Sequence, residues 1–268
     1  MKLRLLAAAT ILSIATAAFA SDTFDRTLKV SGQSDLYVST GSGNIRIHPG
    51  NDSEIHVIGH VHAGWSAFGD VGSRVQRIVE APPIVQDGNS IRIGESNDHS
   101  LFNNLSIDYE ITAPSSVALN LHSGSGNVRA HGIHGPAELQ SGSGDLELEQ
   151  DGPGDVKVKT GSGSIRVHGF NGGFMARTGS GDIEADGRLT GEANLMSGSG
   201  SVRLHLTPDA RFNLEASTGS GDIRVHFPGA PQQTDYSRHH LTGSINGGGP
   251  ALEIRTGSGD VEIDTGGH

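Results

Sequence analysis

Along most of the chain, apolar and polar residues alternate in short runs with a period of two. Leu146-Glu147-Leu148-Glu149, Ile165-Arg166-Val167-His168 and Ile183-Glu184-Ala185-Asp186 are three such runs, and Val156-Lys157-Val158-Lys159 is another. Alternation over about five residues is the mark of a half-buried strand. Glycine recurs between the runs too often for an apolar stripe of helical period to persist. The pattern predicts an all-β chain of many short strands.

The runs are arranged around a repeated tripeptide. Gly-Ser-Gly begins at Gly41, Gly124, Gly142, Gly161, Gly179, Gly198, Gly219 and Gly257. From Gly124 the steps are 18, 19, 18, 19 and 21 residues, and the last step, to Gly257, is 38, or two periods. A degenerate copy, Thr242-Gly243-Ser244-Ile245, falls inside that last step. Such a fixed period marks a repeat architecture. Each unit of ~19 residues holds two strands, joined at the Gly-Ser-Gly corner and at a second glycine-rich corner such as Asp151-Gly152-Pro153-Gly154.

Either an antiparallel meander or a stack of coils could carry two strands per unit, and the outward charges separate them. The third and fifth residues after the tripeptide read Arg129/His131, Glu147/Glu149, Arg166/His168, Glu184/Asp186 and Arg203/His205. Basic and acidic rows alternate. In a parallel stack these rows are direct neighbours ~4.8 Å apart, and sheets favour opposite charges there. A meander would separate them. The chain is therefore expected to be a parallel β-solenoid (β-helix), with the ladder setting register more than stability. The alternation breaks once, where Arg224/His226 follows Arg203/His205.

The N-terminal third is less regular. Ile45-Arg46-Ile47 follows the first Gly-Ser-Gly, residues 55–61 read as a further strand, and residues 84–93 read as a hairpin around Asp87-Gly88. Residues 63–73 read as a glycine-rich loop carrying Trp65 and Phe68, a candidate binding tip or a cap on the open solenoid edge. Organisation is expected as a signal peptide over residues 1–20 and one solenoid domain over 21–268. That domain has an irregular part, 21–116, and regular repeats, 117–268.

Composition narrows the function. Glycine fills 40 positions, aromatic residues are 4% and cysteine is absent, which excludes a disulfide scaffold and a Cys-ligated metal. The formal charge of −11 argues against nucleic acid as a partner. Lys2 and Arg4 precede the apolar run 5–14, and Ala18-Phe19-Ala20 offers a small-x-small cleavage pattern. Export by a cleaved signal is expected, to the periplasm, the outer surface or the medium. The mature chain would have no transmembrane segment.

At this point the residues resemble a known group. Thr40-Gly41-Ser42-Gly43-Asn44-Ile45, then Ile107-x-Tyr109-x-Ile111-x-x-Pro114, then serial Ser/Thr-Gly-Ser-Gly-Asp-Ile copies are similar to a bacterial adhesin-like family. That group is a Gly-Ser-Gly-repeat β-solenoid domain of unknown function, related to the head (GIN) domain of autotransporter adhesins. Gly247-Gly248-Gly249-Pro250 and Thr256-Gly257-Ser258-Gly259-Asp260 fit it too, so the resemblance runs from Phe24 to Asp264. It implies a β-helical fold, pectin-lyase-like in outline, an adhesin-like role and no carried-over catalytic residues.

Candidate chemistry is sparse. His56, His60 and His62 share strand parity and could offer an H-x-H metal pair, but Ile55, Val57 and Val61 take the opposite face, so the histidines fit a solvated side. Asp145, Asp182, Asp222 and Asp260 follow the tripeptide as in calcium-binding β-rolls, yet at twice the calcium period, and read as polar caps bonding local backbone. Almost every carboxylate belongs to a repeated position, unlike the non-repetitive acid pair of a glycosidase. The expected function is a non-enzymatic adhesin-like binding or scaffold protein of the cell envelope, without a cofactor. Its partner would be a cell-surface, glycan or envelope-protein ligand. The alternatives are a periplasmic envelope-stress or structural component, and a carbohydrate-active β-helix enzyme.

Overall fold

The computed structural model describes residues 22–64, 70–96, 98–228, 235–237 and 239–266. Trp65, Phe68 and the signal-like residues 1–20 lie outside the described residues. Within the described residues the chain is all-β apart from one α-helix, Val71–Glu80, and one 3-10 turn, His99–Phe102.

Each repeat turns once around the core and lays one strand in each of two parallel ladders. In the first, Ala137–Ser141 pairs in register with Ala118–Ser123 on one side and Val156–Thr160 on the other. In the second, Leu146–Gln150 lies between Val128–Ile133 and Ile165–Thr178. Ile165–Thr178 and Ile183–Ser199 run unbroken through the second corner and belong to both ladders. The period-two pattern then does what it must. Leu139, Val158 and Leu195 point into the core from one ladder, and Leu148, Val167 and Leu204 from the other. Each fully buried aliphatic is worth about 1.5–3 kcal/mol, so the repeated pairs carry the stack without large fillers. Phe170 and Phe174 stack at 4.8 Å between centroids inside the second corner.

The spatial order of coils departs from chain order at both ends. Near the N-terminus, Asp35–Thr40 and Ile45–Pro49 form a coil lodged between two later ones. It pairs with Ser90–Ile93 and Leu105–Ala113 on one side, and with Ala118–Ser123 and Val128–Ile133 on the other. Near the C-terminus, Ala251–Ser258 and Val261–Thr265 are lodged in the same manner. They sit between the Ile183–Ser199/Val202–Leu206 coil and the earlier Phe212–Ser220/Ile223–His226 coil. The last coil in sequence is thus clamped inside the stack, whereas Thr23–Lys29 pairs only with Glu54–Ala63, itself paired to Leu105–Ala113, and forms the outer edge.

Two expectations are corrected here. The stretch read as a loop over 63–73 gives way to the helix at Val71, because Val71, Val75, Ile78 and Val79 recur at helical spacing and pack into the core. Arg26 closes that helix, its Nη2 donating to the carbonyls of Val79 (3.3 Å) and Glu80 (3.2 Å), left open at the helix end. The degenerate copy Thr242–Ile245 builds no coil. It lies in His240–Ile245, which runs antiparallel to Phe212–Ser220 and covers the stack end. Without the second glycine of the tripeptide, it cannot repeat the tight corner described below.

Candidate functional site

The residues singled out by their spacing fall on two columns running the length of the stack, one inside the Gly-Ser-Gly corner and one on the outer face beside it. Inside, the residue preceding each tripeptide shares the parity of the core aliphatics. Thr40, Ser123, Ser141, Thr160, Thr178, Ser197, Thr218 and Thr256 are all buried. Each hydroxyl donates to a carbonyl of the neighbouring coil: Ser141 Oγ to Gly126 O at 2.9 Å, Thr160 Oγ1 to Gly144 O at 2.9 Å, Thr178 Oγ1 to Gly163 O at 2.8 Å. Several also accept from their own corner, as Ser141 does from Gly144 N (2.9 Å) and Thr160 from Gly163 N (3.2 Å).

The glycines allow this contact. A Cβ on Gly126 would overlap the carbonyl oxygen of Gly43, and one on Gly144 that of Gly126, and so on along the column. Backbones approach here as closely as only glycine permits. Next to them, the polar residue after the tripeptide bonds the adjacent coil, a correction to the local capping expected from sequence. Asn127 N donates to Asn44 Oδ1 (3.0 Å), Asp145 N to Asn127 Oδ1 (2.8 Å), Ser164 N to Asp145 Oδ1 (2.9 Å) and Ser201 N to Asp182 Oδ1 (2.8 Å). The same inter-coil bonding holds Asp260 well below the usual carboxylate range, chiefly through the Asp222 N–H and then through the Arg224 guanidinium.

Outside, the charged rows meet across coils. Arg129 Nε lies 3.0 Å from Glu147 Oε2 and His131 Nδ1 3.2 Å from Glu149 Oε2. Arg166 lies 4.0 Å from Glu184, and His168 2.6 Å from Asp186. Arg203 and His205 meet Glu262 (3.7 Å) and Asp264, not a residue of the next repeat in sequence. The inserted C-terminal coil thus fills the gap in the alternation, since Glu262 and Asp264 sit in register with Arg203/His205 on one side and Arg224/His226 on the other. At the opposite insertion, like meets like: Arg46 is in register with Arg129, and the His48 ring stacks on His131 at 6.0 Å. Sequence spacing pointed to these rows but not to Arg46, His48, Glu262 and Asp264. The signal for them was the same third and fifth positions after the tripeptides that begin at Gly41 and Gly257.

The three histidines of the early strand each face a different partner. His56 Nε2 lies 2.7 Å from Asp25 Oδ1, His60 Nδ1 3.2 Å from Thr23 Oγ1 and His62 Nε2 3.3 Å from Asp108 Oδ2. They share the outward side of Glu54–Ala63 but do not converge. Among the described residues, no three side chains of metal-binding type form a group. Nor, among them, is any helix long and apolar enough to cross a membrane.

A family model, Toastrack DUF4097, matches residues 27–264. The chain belongs to the Toastrack DUF4097 family. The matched span of this Toastrack chain includes every hydroxyl of the inner column and every row of the outer ladder. Two solved structures are similar at low identity. One, from Clostridium sporogenes ATCC 15579, is proposed to be a cell adhesion protein: identity is 13%, coverage 91% of this chain and 100% of that one, and the TM-score 0.33. The other, a proposed adhesin from Bacteroides fragilis NCTC 9343, shares 12% identity over 90% of this chain and 96% of that one, with a TM-score of 0.42. No curated protein matches the chain.

Proposed function

We propose that the chain is an exported, non-enzymatic adhesin-like binding or scaffold protein of the bacterial cell envelope. Its rigid outer faces would present rows of paired charge to a cell-surface, glycan or envelope-protein ligand. The observation that carries this reading is the pairing itself. The acids and bases of the outer ladder lie one coil apart in repeated ion pairs, and hydrolysis needs an unrepeated pair of carboxylates with distinct environments. A stack closed by hydroxyl and glycine contacts supplies a stiff display surface instead. The signal-like N-terminus supports export, and the serial corners that resemble autotransporter-adhesin heads support an adhesin-like role.

Fractionation with surface proteolysis tests the location. Digestion of the chain in intact cells is the expected result. Protection in intact cells, with release alongside periplasmic markers, would overturn the adhesin reading in favour of a periplasmic structural component.

A further inference from the structure

Along the Gly-Ser-Gly column every coil fills the space above its neighbour, with one exception. A Cβ on Gly124, Gly142, Gly161 or Gly179 would overlap the preceding glycine carbonyl, yet one on Gly41 would meet nothing within 4 Å. The coil outside Gly41 has no such corner. Pairing between Asp35–Thr40 and Ser90–Ile93 stops at Val38 and Ile93, and the chain re-enters a strand only at Leu105, with Leu101 and Phe102 partly packed on the core before it. Before that return, residues 98–104 bow outward and leave a cavity of about 540 Å³ over Gly41 and Ser42.

This cavity has built walls. The 3-10 turn His99–Phe102 is capped by Asp98, whose Oδ1 accepts from Ser100 N at 3.1 Å. Arg74 of the helix Val71–Glu80 ties the outer wall, Nη1 donating to Asn103 O at 2.6 Å and Ser100 O at 3.2 Å. Gly64 N donates to Asn104 O at 2.8 Å, and Asn104 itself holds φ of 57°. At the inner wall stands Tyr109, 1% exposed, its ring edge-on to Phe24 and its hydroxyl beside Gly94. That hydroxyl is buried with no hydrogen-bond partner among the described residues, and burial pushes its pKa well above the ordinary tyrosine value. An orphaned buried hydroxyl costs on the order of 1–3 kcal/mol.

The lining chemistry selects the ligand. It offers hydroxyls of Ser42 and Ser106, amides of Asn103 and Asn104, backbone at Gly41, and the apolar surface of Phe102, with no Asp, Glu, Lys, Arg or His among the described residues. A charged ligand would lose its hydration without a counter-charge, and a purely apolar one would strand the amides and hydroxyls. A neutral polyol with apolar C–H faces satisfies both demands, and the volume lies within the range of small-molecule sites. We propose that the vacancy in the Gly-Ser-Gly column, walled by Asn103, Asn104 and Phe102 over Gly41–Ser42, is a binding site for a neutral sugar residue. The site shares no residue with the charged ladder, so it stands or falls apart from the envelope-scaffold reading.

Saturation-transfer NMR on the purified full-length chain, with glucose, galactose, mannose and N-acetylglucosamine as probes, tests the site. Glucuronic acid and glucosamine serve as charged counterparts. Binding of at least one neutral sugar, at least tenfold tighter than either charged sugar, is expected. Gly41→Leu projects its side chain into open space, so it should reduce binding at least tenfold while leaving the melting temperature unchanged. Should that variant misfold, Ser42→Tyr blocks the same cavity from its exposed rim and should give the same loss. Absence of binding by all four neutral sugars, equal preference for a charged sugar, or undiminished binding in a folded cavity-filled variant each overturns the proposal.

Discussion

The buried serine or threonine ahead of each Gly-Ser-Gly bonds a carbonyl of the coil beside it, and in several corners its own backbone too, so it ties the stack at its tightest point. Its inward direction is legible from the sequence, since Thr160 shares parity with Val156 and Val158. Its partner is not legible, because Gly144 O belongs to the preceding coil and only the stack brings it within 2.9 Å. The glycines are similar: their spacing announces corners, but the overlap that forbids a Cβ exists only between coils. Thr160→Val keeps shape and removes the hydroxyl, leaving Gly144 O and Gly163 N without that partner. Leaving buried backbone groups unsatisfied costs about 1–3 kcal/mol, so the urea midpoint should fall correspondingly. A variant within 0.5 kcal/mol of the parent, a rough bound on ordinary surface changes, would show that the hydroxyl column is dispensable.

At the scale of strands, the outer ladder explains how each strand finds its neighbour. Paired charges this exposed contribute only about 0–1 kcal/mol each, while like charges directly opposite are disfavoured, so the rows discriminate between arrangements more than they strengthen one. The alternation from Arg129 to Asp186 could be read directly. Its break at Arg203 and Arg224 could not be resolved, because the acidic row that repairs it, Glu262 and Asp264, lies at the far end of the chain. The helix Val71–Glu80 escaped for a different reason, its apolar stripe being short and preceded by a glycine-rich stretch that reads as loop. Glu262→Lys would place a cation between Arg203 and Arg224. Its expected effect is a loss of about 1–2 kcal/mol from the two altered pairs, shrinking in 0.5 M salt (an order-of-magnitude choice well above physiological ionic strength) as screening weakens exposed charges. Thermal melts in low and high salt measure it. An equal loss in both would mean packing, not charge, was disturbed.

For the whole molecule, the decisive feature is that the last coil in sequence does not lie at an end of the stack. Repeat proteins gain stability from nearest-neighbour interfaces and ordinarily fray from their terminal units. Here the last coil in sequence, Ala251–Thr265, occupies the position next to last in space and supports the Phe212–His226 coil beyond it. A repeat period cannot announce this exchange, since every coil carries the same corner. Truncation after Pro250 would therefore do more than remove one terminal repeat. Phe212–Ser220 would lose its parallel partner, and the buried faces of Leu214, Ala216 and Ile223 would lose the neighbouring Leu252, Ile254 and Val261. The stranded coil could recover only by closing onto Ile183–Ser199 and Val202–Leu206, and that register sets Arg224 against Arg203 and His226 against His205. Sliding by one residue to avoid the clash would turn its core residues outward. Amide exchange on the truncated chain should thus show protection collapsing across residues 212–226 and 240–245, while the coils from 118 to 178 stay protected. Full protection of residues 212–226 in that variant would mean that the like-charged register is tolerated there, as it is where Arg46 lies against Arg129 and His48 on His131.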